Sequence, residues 1–143
     1  MDRPTRRRVL IVDDNPTFAR VLREALSTRG YVCETARSAA EAWNMFGAGE
    51  FDAIVSDLHI ADRAGEDRTS RDRSGIALLR RIRDESPGCA RVLVSGSLDP
   101  DEVAPLGDSV IDAYLRKPFE LSALIETIES SLARKRSSRA SGH

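Results

Sequence analysis

Several things are scarce in this sequence, and each shortage excludes a class of protein. Its 143 residues include two cysteines, and the formal net charge is only -1. Cys33 and Cys89 stand far apart without metal-ligand spacing, so neither a disulfide framework nor a zinc site is expected, only two reduced structural thiols. The near-zero charge excludes a strongly basic nucleic-acid binder on bulk electrostatics, and no DNA partner is expected. Apolar runs fall well short of the roughly 20 residues that cross a bilayer. The opening "MDRPTRRR" leads into a short apolar stretch with no plausible cleavage site. A cytoplasmic protein without membrane contact is the expectation. No glycine-rich phosphate loop follows the first apolar run, where "DDNPTF" stands, and "SGSLDP" is not a Gly-x-Ser-x-Gly elbow.

What is present suits one globular unit, with 41% hydrophobic and 31% charged residues. Strand-length apolar runs recur at "VLIV" (9–12), "YVCET" (31–35), "FDAIVS" (51–56), "RVLVS" (91–95) and "VIDAYL" (110–115). Helical spacing separates them. Phe18, Val21, Leu22, Ala25 and Leu26 share a face opened by Asn15 and Pro16 and closed at Gly30. "SAAE" (38–41) reads as a capping box before Ala42, Trp43 and Phe46, whose rings are expected to be packing. Ile76, Leu79 and Ile82 form a stripe, Asp99 caps a short helix limited by Pro105, and Leu121, Leu124, Ile125, Ile128 and Leu132 mark the last helix. Alternating strands and helices indicate an α/β domain with a parallel sheet buried on both faces. The domain is placed at 8–134, between a basic N-terminal tail (1–7) and a basic, Ser-rich C-terminal tail (135–143). The basic clusters at both ends are expected to be solvated, and the stretch from Ala133 to be frayed. "ADRAGEDRTSRDR" (61–73) has eight charges in thirteen residues and no large apolar side chain, so a mobile surface loop is expected there.

In an open parallel sheet, ligands bind beyond the carboxyl ends of the strands. Those ends carry Asp13 and Asp14, then Asp57, Ser95 and Lys117. Clustered carboxylates raise one another's pKa unless a cation sits among them, and an all-oxygen set suits Mg²⁺. Such an ion leaves coordination positions open to phosphate oxygens, so one carboxylate is placed to attack phosphorus, with Lys117 and the Ser95 hydroxyl stabilising the transferred charge.

In this order, "VDDN", "VSDLHI", "VSGS" and "YLRKPF" resemble the receiver domain of bacterial two-component response regulators, over about residues 8 to 134. The resemblance implies a flavodoxin-like, doubly wound five-stranded parallel sheet, strand order 2-1-3-4-5, with five helices. It implies Asp57 as phosphoacceptor, Asp14 as direct and Asp13 as water-mediated magnesium ligand, and the His59 carbonyl as a third contact. Lys117 resembles the phosphoryl-contacting lysine, Pro118 the proline after a cis peptide, and Ser95 with Tyr114 the switch pair. Phosphorylation would shift an existing equilibrium of the face made by the fourth helix, fifth strand and fifth helix. The departure is after Asp57: Ile60-Ala61 replace a Met-Pro-like pair, and Gly75 arrives only beyond the charged insertion. The His59 side chain and Ser97 hold entrance positions that could tune phosphoryl lifetime.

The function expected is a single-domain signalling switch, accepting phosphoryl from a histidine kinase or phosphotransfer protein onto Asp57 and slowly hydrolysing it. It would act more as a switch than a metabolic enzyme. If the chain is the whole product, its output is contact with a downstream protein, as a monomer or a phosphorylation-dependent dimer. One alternative is an interaction adaptor on the same fold with vestigial phosphorylation. Another is a haloacid-dehalogenase-like phosphatase, disfavoured because that family has a second aspartate two residues on, where this chain has His59.

Overall fold

The computed structural model describes residues 7–58, 60, 74–96 and 110–141. β1 (Arg8–Val12), β2 (Val32–Ala36), β3 (Ala53–Asp57), β4 (Ala90–Ser95) and β5 (Ala113–Arg116) form one parallel sheet in the order β2-β1-β3-β4-β5. Among the described residues four helices cover it, not five: α1 (Pro16–Ser27), α2 (Ala39–Ala48), α3 (Ser74–Glu85) and α4 (Leu121–Ser141). The short helix expected from Asp99 falls in 97–109, outside the described residues, as does the charged stretch 61–73.

Strand alternation divides the core in two. Leu10, Ile54 and Leu93 face Ala42 of α2 and Ile76, Leu79 and Ile82 of α3. Val9, Ile11, Val55, Val92 and Val94 face Leu22 and Leu26 of α1 and Leu124 and Ile128 of α4. Both layers are apolar because each face of a parallel sheet is covered by helices. The caps follow the local sequence. Asn15 Oδ1 accepts from the Thr17 and Phe18 amides, Pro16 opens α1, and Gly30 leaves the helix at φ +95°, a backbone suited to glycine. Ser38 Oγ accepts from Glu41 N, and the Glu41 carboxylate reaches back to the Arg37 amide, one residue before the cap.

Two sequence expectations are corrected. Val110 and Ile111 are buried in the core, yet β5 starts only at Ala113. The chain turns first at Asp112, whose carboxylate accepts from Arg91 N while its own amide donates to Arg91 O. The C-terminal stretch is not frayed either, for α4 runs through Ser141. Arg134 Nη2 donates to Asp112 O, and Lys135 Nζ lies 3.1 Å from both Asp112 Oδ1 and Pro87 O. These contacts anchor both cations to the bottom of the sheet.

Both thiols are free, as expected. Burial pushes the Cys33 thiol up to about 11 and that of Cys89 up to about 12.

Candidate functional site

The strand register brings the acidic residues to one edge. Val12 pairs with Ser56, so Asp13 and Asp57 leave neighbouring strands side by side. Asp57 pairs with Val94, and Ser95 with Arg116, which delivers Lys117 to the same rim. Backbone bonds fix these exits: Asp13 N donates to Ala36 O, Leu58 N to Val94 O, and Lys117 N to Ser95 O.

At the rim, Lys117 Nζ lies 3.2 Å from Asp13 Oδ2 and 3.1 Å from Asp57 Oδ2. Asp13 Oδ1 also accepts from the Asn15 amide at 2.9 Å. Burial pushes the Asp13 carboxyl above its ordinary value and the neighbouring Asp57 adds to this, against the opposing pull of Asn15 N–H and Lys117. Burial acts against the Lys117 ammonium, but Asp13 and Asp57 together outweigh it, and its pKa is raised. The Lys117-Pro118 peptide is cis.

Alternation sends the residues to two faces. Asp57 continues the row of Ala53 and Val55, towards α1 and α4. Ser95 continues the row of Leu93, on the α2 and α3 side, where Tyr114 packs against the core cluster. The Ser95 residue is buried and Asp14 is half-buried. Asp13, Asp57 and Lys117 thus meet as an ion cluster. Ser95 joins the rim through its carbonyl, and Ser95 and Tyr114 share the opposite face. His59 and Ser97 lie outside the described residues.

Two contributors escaped the sequence reading. Phe18, taken there only as part of an apolar helical face, places its ring 4.3 Å from Lys117 Nζ and meets Phe119 edge to face at 6.0 Å. Gly75, read from the sequence only as arriving late, after the insertion, donates its amide to Leu58 O, and a Cβ there would stand 2.2 Å from Asp57 O. The thirteen-residue insertion therefore leaves a glycine against the end of β3. Its signal was the "SG" opening an apolar helical stripe.

Among the described residues, no three carboxylate, imidazole or thiol groups converge as a metal cage. Mg²⁺ asks for less, being held by one or two carboxylates with water and phosphate oxygens completing its shell. The Asp13 and Asp57 oxygens already converge on a single cationic nitrogen. Such a hard-oxygen pair fits the ion.

A family model described as the response regulator receiver domain matches residues 9–129. The chain is 30% identical over 132 residues to the sensor histidine kinase RcsC of Salmonella typhi, covering 92% of this chain and 13% of that protein. It is 30% identical over 125 residues to the DNA-binding transcriptional regulator NtrC of Rhizobium meliloti (strain 1021), covering 87% of this chain and 24% of that protein. Against these curated relatives the chain thus spans a quarter of their length or less. Among solved structures, the signal receiver domain of an HD domain-containing protein from Pseudomonas fluorescens Pf-5 superposes with TM-score 0.80 at 26% identity, covering 99% of this chain and 98% of that one. A CheY-like receiver domain protein from Methanospirillum hungatei JF-1 shares the fold with TM-score 0.80 at 23% identity, covering 93% and 98%.

Proposed function

The chain belongs to the response regulator receiver domain family, and from that premise we propose that it is a phosphorylation-controlled switch which accepts a phosphoryl group on Asp57. The carrying observation is the Lys117 ammonium shared between Asp13 and Asp57 at the carboxyl edge of the sheet. An Asp57 oxygen attacks phosphorus and forms a P–O bond, while the donor's bond to phosphorus breaks and its electron pair leaves with the donor group. For a kinase or phosphotransfer partner that group is the imidazole of a phosphohistidine. Lys117 stands within reach of the transferred oxygens and neutralises part of their charge. Asp13, Asp14, Asp57 and the His59 carbonyl would hold Mg²⁺, which supplies further charge neutralisation when bound. Hydrolysis reverses the state: water attacks phosphorus, the bond to Asp57 breaks, and inorganic phosphate departs.

The switch would run through the other face. Ser95 and Tyr114 sit on the row that packs against α2 and α3, so a hydroxyl drawn towards a phosphoryl oxygen frees space behind it for the ring. A downstream protein then reads the changed face, with the chain monomeric or dimerising on phosphorylation. A histidine kinase partner accords with the kinase-linked relative. The expectation of no DNA contact concerns residues 1–143 alone, because a matched relative is named as a DNA-binding regulator. A cytoplasmic setting suits a kinase partner, and no helix among the described residues is long and apolar enough to cross a membrane.

The test is to incubate the protein with Mg²⁺ and a small acyl phosphate and follow its intact mass. The wild type is expected to gain one phosphoryl group and Asp57→Asn none. Equal gain by both overturns the assignment of Asp57; no gain by the wild type favours the adaptor reading.

A further inference from the structure

We propose that Phe18 is the positioning residue for the Lys117 ammonium, its ring holding that charge in the gap between Asp13 and Asp57. The inference rests on the proposed role of Lys117 in contacting the phosphoryl group. An ammonium has three N–H donors. Two of the Lys117 contacts go to Asp13 Oδ2 and Asp57 Oδ2, and on a further side the Phe18 ring stands 4.3 Å away. That distance lies inside the roughly 6 Å reach of a cation–π contact.

The contacts form a closed circuit. Asn15 N donates to Asp13 Oδ1, Asn15 Oδ1 accepts from Phe18 N, the Phe18 ring faces Lys117, and Lys117 returns to Asp13. Phe119, two residues beyond Lys117, meets the ring at 72° and sets its orientation. Phe18 is only half-buried and lies at the rim end of the stripe formed by Leu22 and Leu26. An apolar residue serving only the core would not need an aromatic face here. The ring's effect is to limit the Lys117 head group to positions from which it reaches both Asp57 and the oxygens of an arriving phosphoryl group.

The test compares Phe18→Leu, which keeps an apolar side chain, with Phe18→Tyr, which keeps the ring. Phosphorylation by an acyl phosphate in Mg²⁺ is followed by intact mass across donor concentrations. Phe18→Leu is expected to lower the maximal rate roughly three- to tenfold, within what a cation–π contact can supply, with the half-saturating donor concentration unchanged. Phe18→Tyr is expected to restore it. NMR of the Lys117 side chain supplies the readout that a purely structural role would not move. The ε-methylene protons are expected to be shifted upfield by the ring in wild type and Phe18→Tyr, and to return to ordinary values in Phe18→Leu. A Phe18→Leu protein that phosphorylates at the wild-type rate overturns the proposal. So does a Lys117 signal that does not respond to losing the ring. If the wild type takes no phosphoryl group, the functional reading fails, while the NMR comparison still decides the placement of Lys117.

Discussion

Replacing Lys117 by Met removes the cation that bridges Asp13 and Asp57 while keeping much of its stem. Two contacts at 3.1 and 3.2 Å to charged groups are lost, each worth about 1.5 kcal/mol at the low end for hydrogen bonds to ions. The low end applies because the lysine side chain is 27% exposed and partly screened. Relief from desolvating the ammonium offsets some of this, leaving a deficit of about 2 kcal/mol near neutral pH. The deficit depends on pH with a definite sign. The folded pKa of Asp13 is raised above its ordinary 3.8. Its contribution to stability is therefore fully present below 3.8 and lost as pH rises through the folded value, opposite to most salt-bridged carboxylates. Without Lys117 that folded value climbs further, so the variant's deficit is small at about pH 4 and reaches its full size at about pH 7. Urea unfolding, followed by fluorescence of the single tryptophan, Trp43, in metal-free buffer at both pH values, measures the difference. Adding Asp13→Asn to Lys117→Met is expected to recover part of the loss at neutral pH. Millimolar Mg²⁺ is expected to stabilise the single variant more than the wild type, since the ion meets two carboxylates with no competing ammonium. A deficit equal at both pH values, or none at neutral pH, refutes the electrostatic account of this cluster.

Two further outcomes follow from the close contacts elsewhere. Gly75→Ala puts a Cβ 2.2 Å from Asp57 O and 2.9 Å from Leu58 Cα, so it should cost about 2 to 3 kcal/mol by overpacking and slow phosphorylation of Asp57. Unfolding midpoints and the intact-mass assay check both effects, and wild-type stability would contradict the tight approach. Arg91→Leu removes a buried guanidinium that donates to the carbonyls of Val110 and Cys89 at 2.7 and 2.9 Å and lies near Asp112. Stranding these acceptors and the Asp112 charge should cost about 3 kcal/mol. Thermal unfolding measures it, and a loss below 1 kcal/mol would mean that water replaces the guanidinium without penalty.

Where the sequence reading succeeded and where it failed have separate physical causes. The Asn15-Pro16 start of α1, the Ser38 cap and the buried stripe of α3 were legible because each depends on residues a few positions apart. The strand runs were legible as β-branched apolar segments, and the carboxyl-edge rule gathers Asp13, Asp57 and Lys117 from the sequence alone. What escaped depended on distant partners. In "RVLVS", nothing shows that Arg91 is buried, because its partners Val110 and Asp112 arrive some twenty residues later. The same Asp112 anchors Lys135, so a tail judged by its charge density looked solvated although the sheet supplied a counter-ion.

Gly75 shows the converse case, in which distance along the chain does not become distance in space. Fourteen charged and small residues separate it from Ile60, yet its amide still bonds to Leu58 O and its missing Cβ admits the Asp57 carbonyl. A backbone approach this close can be met by glycine alone, so the demand persists however many residues are inserted between the two contacts. Phe18 joins both lessons. Its spacing to Leu22 marks it as one more apolar residue on α1, and only the return of the chain at Lys117, almost a hundred residues later, turns that ring towards the charge it faces.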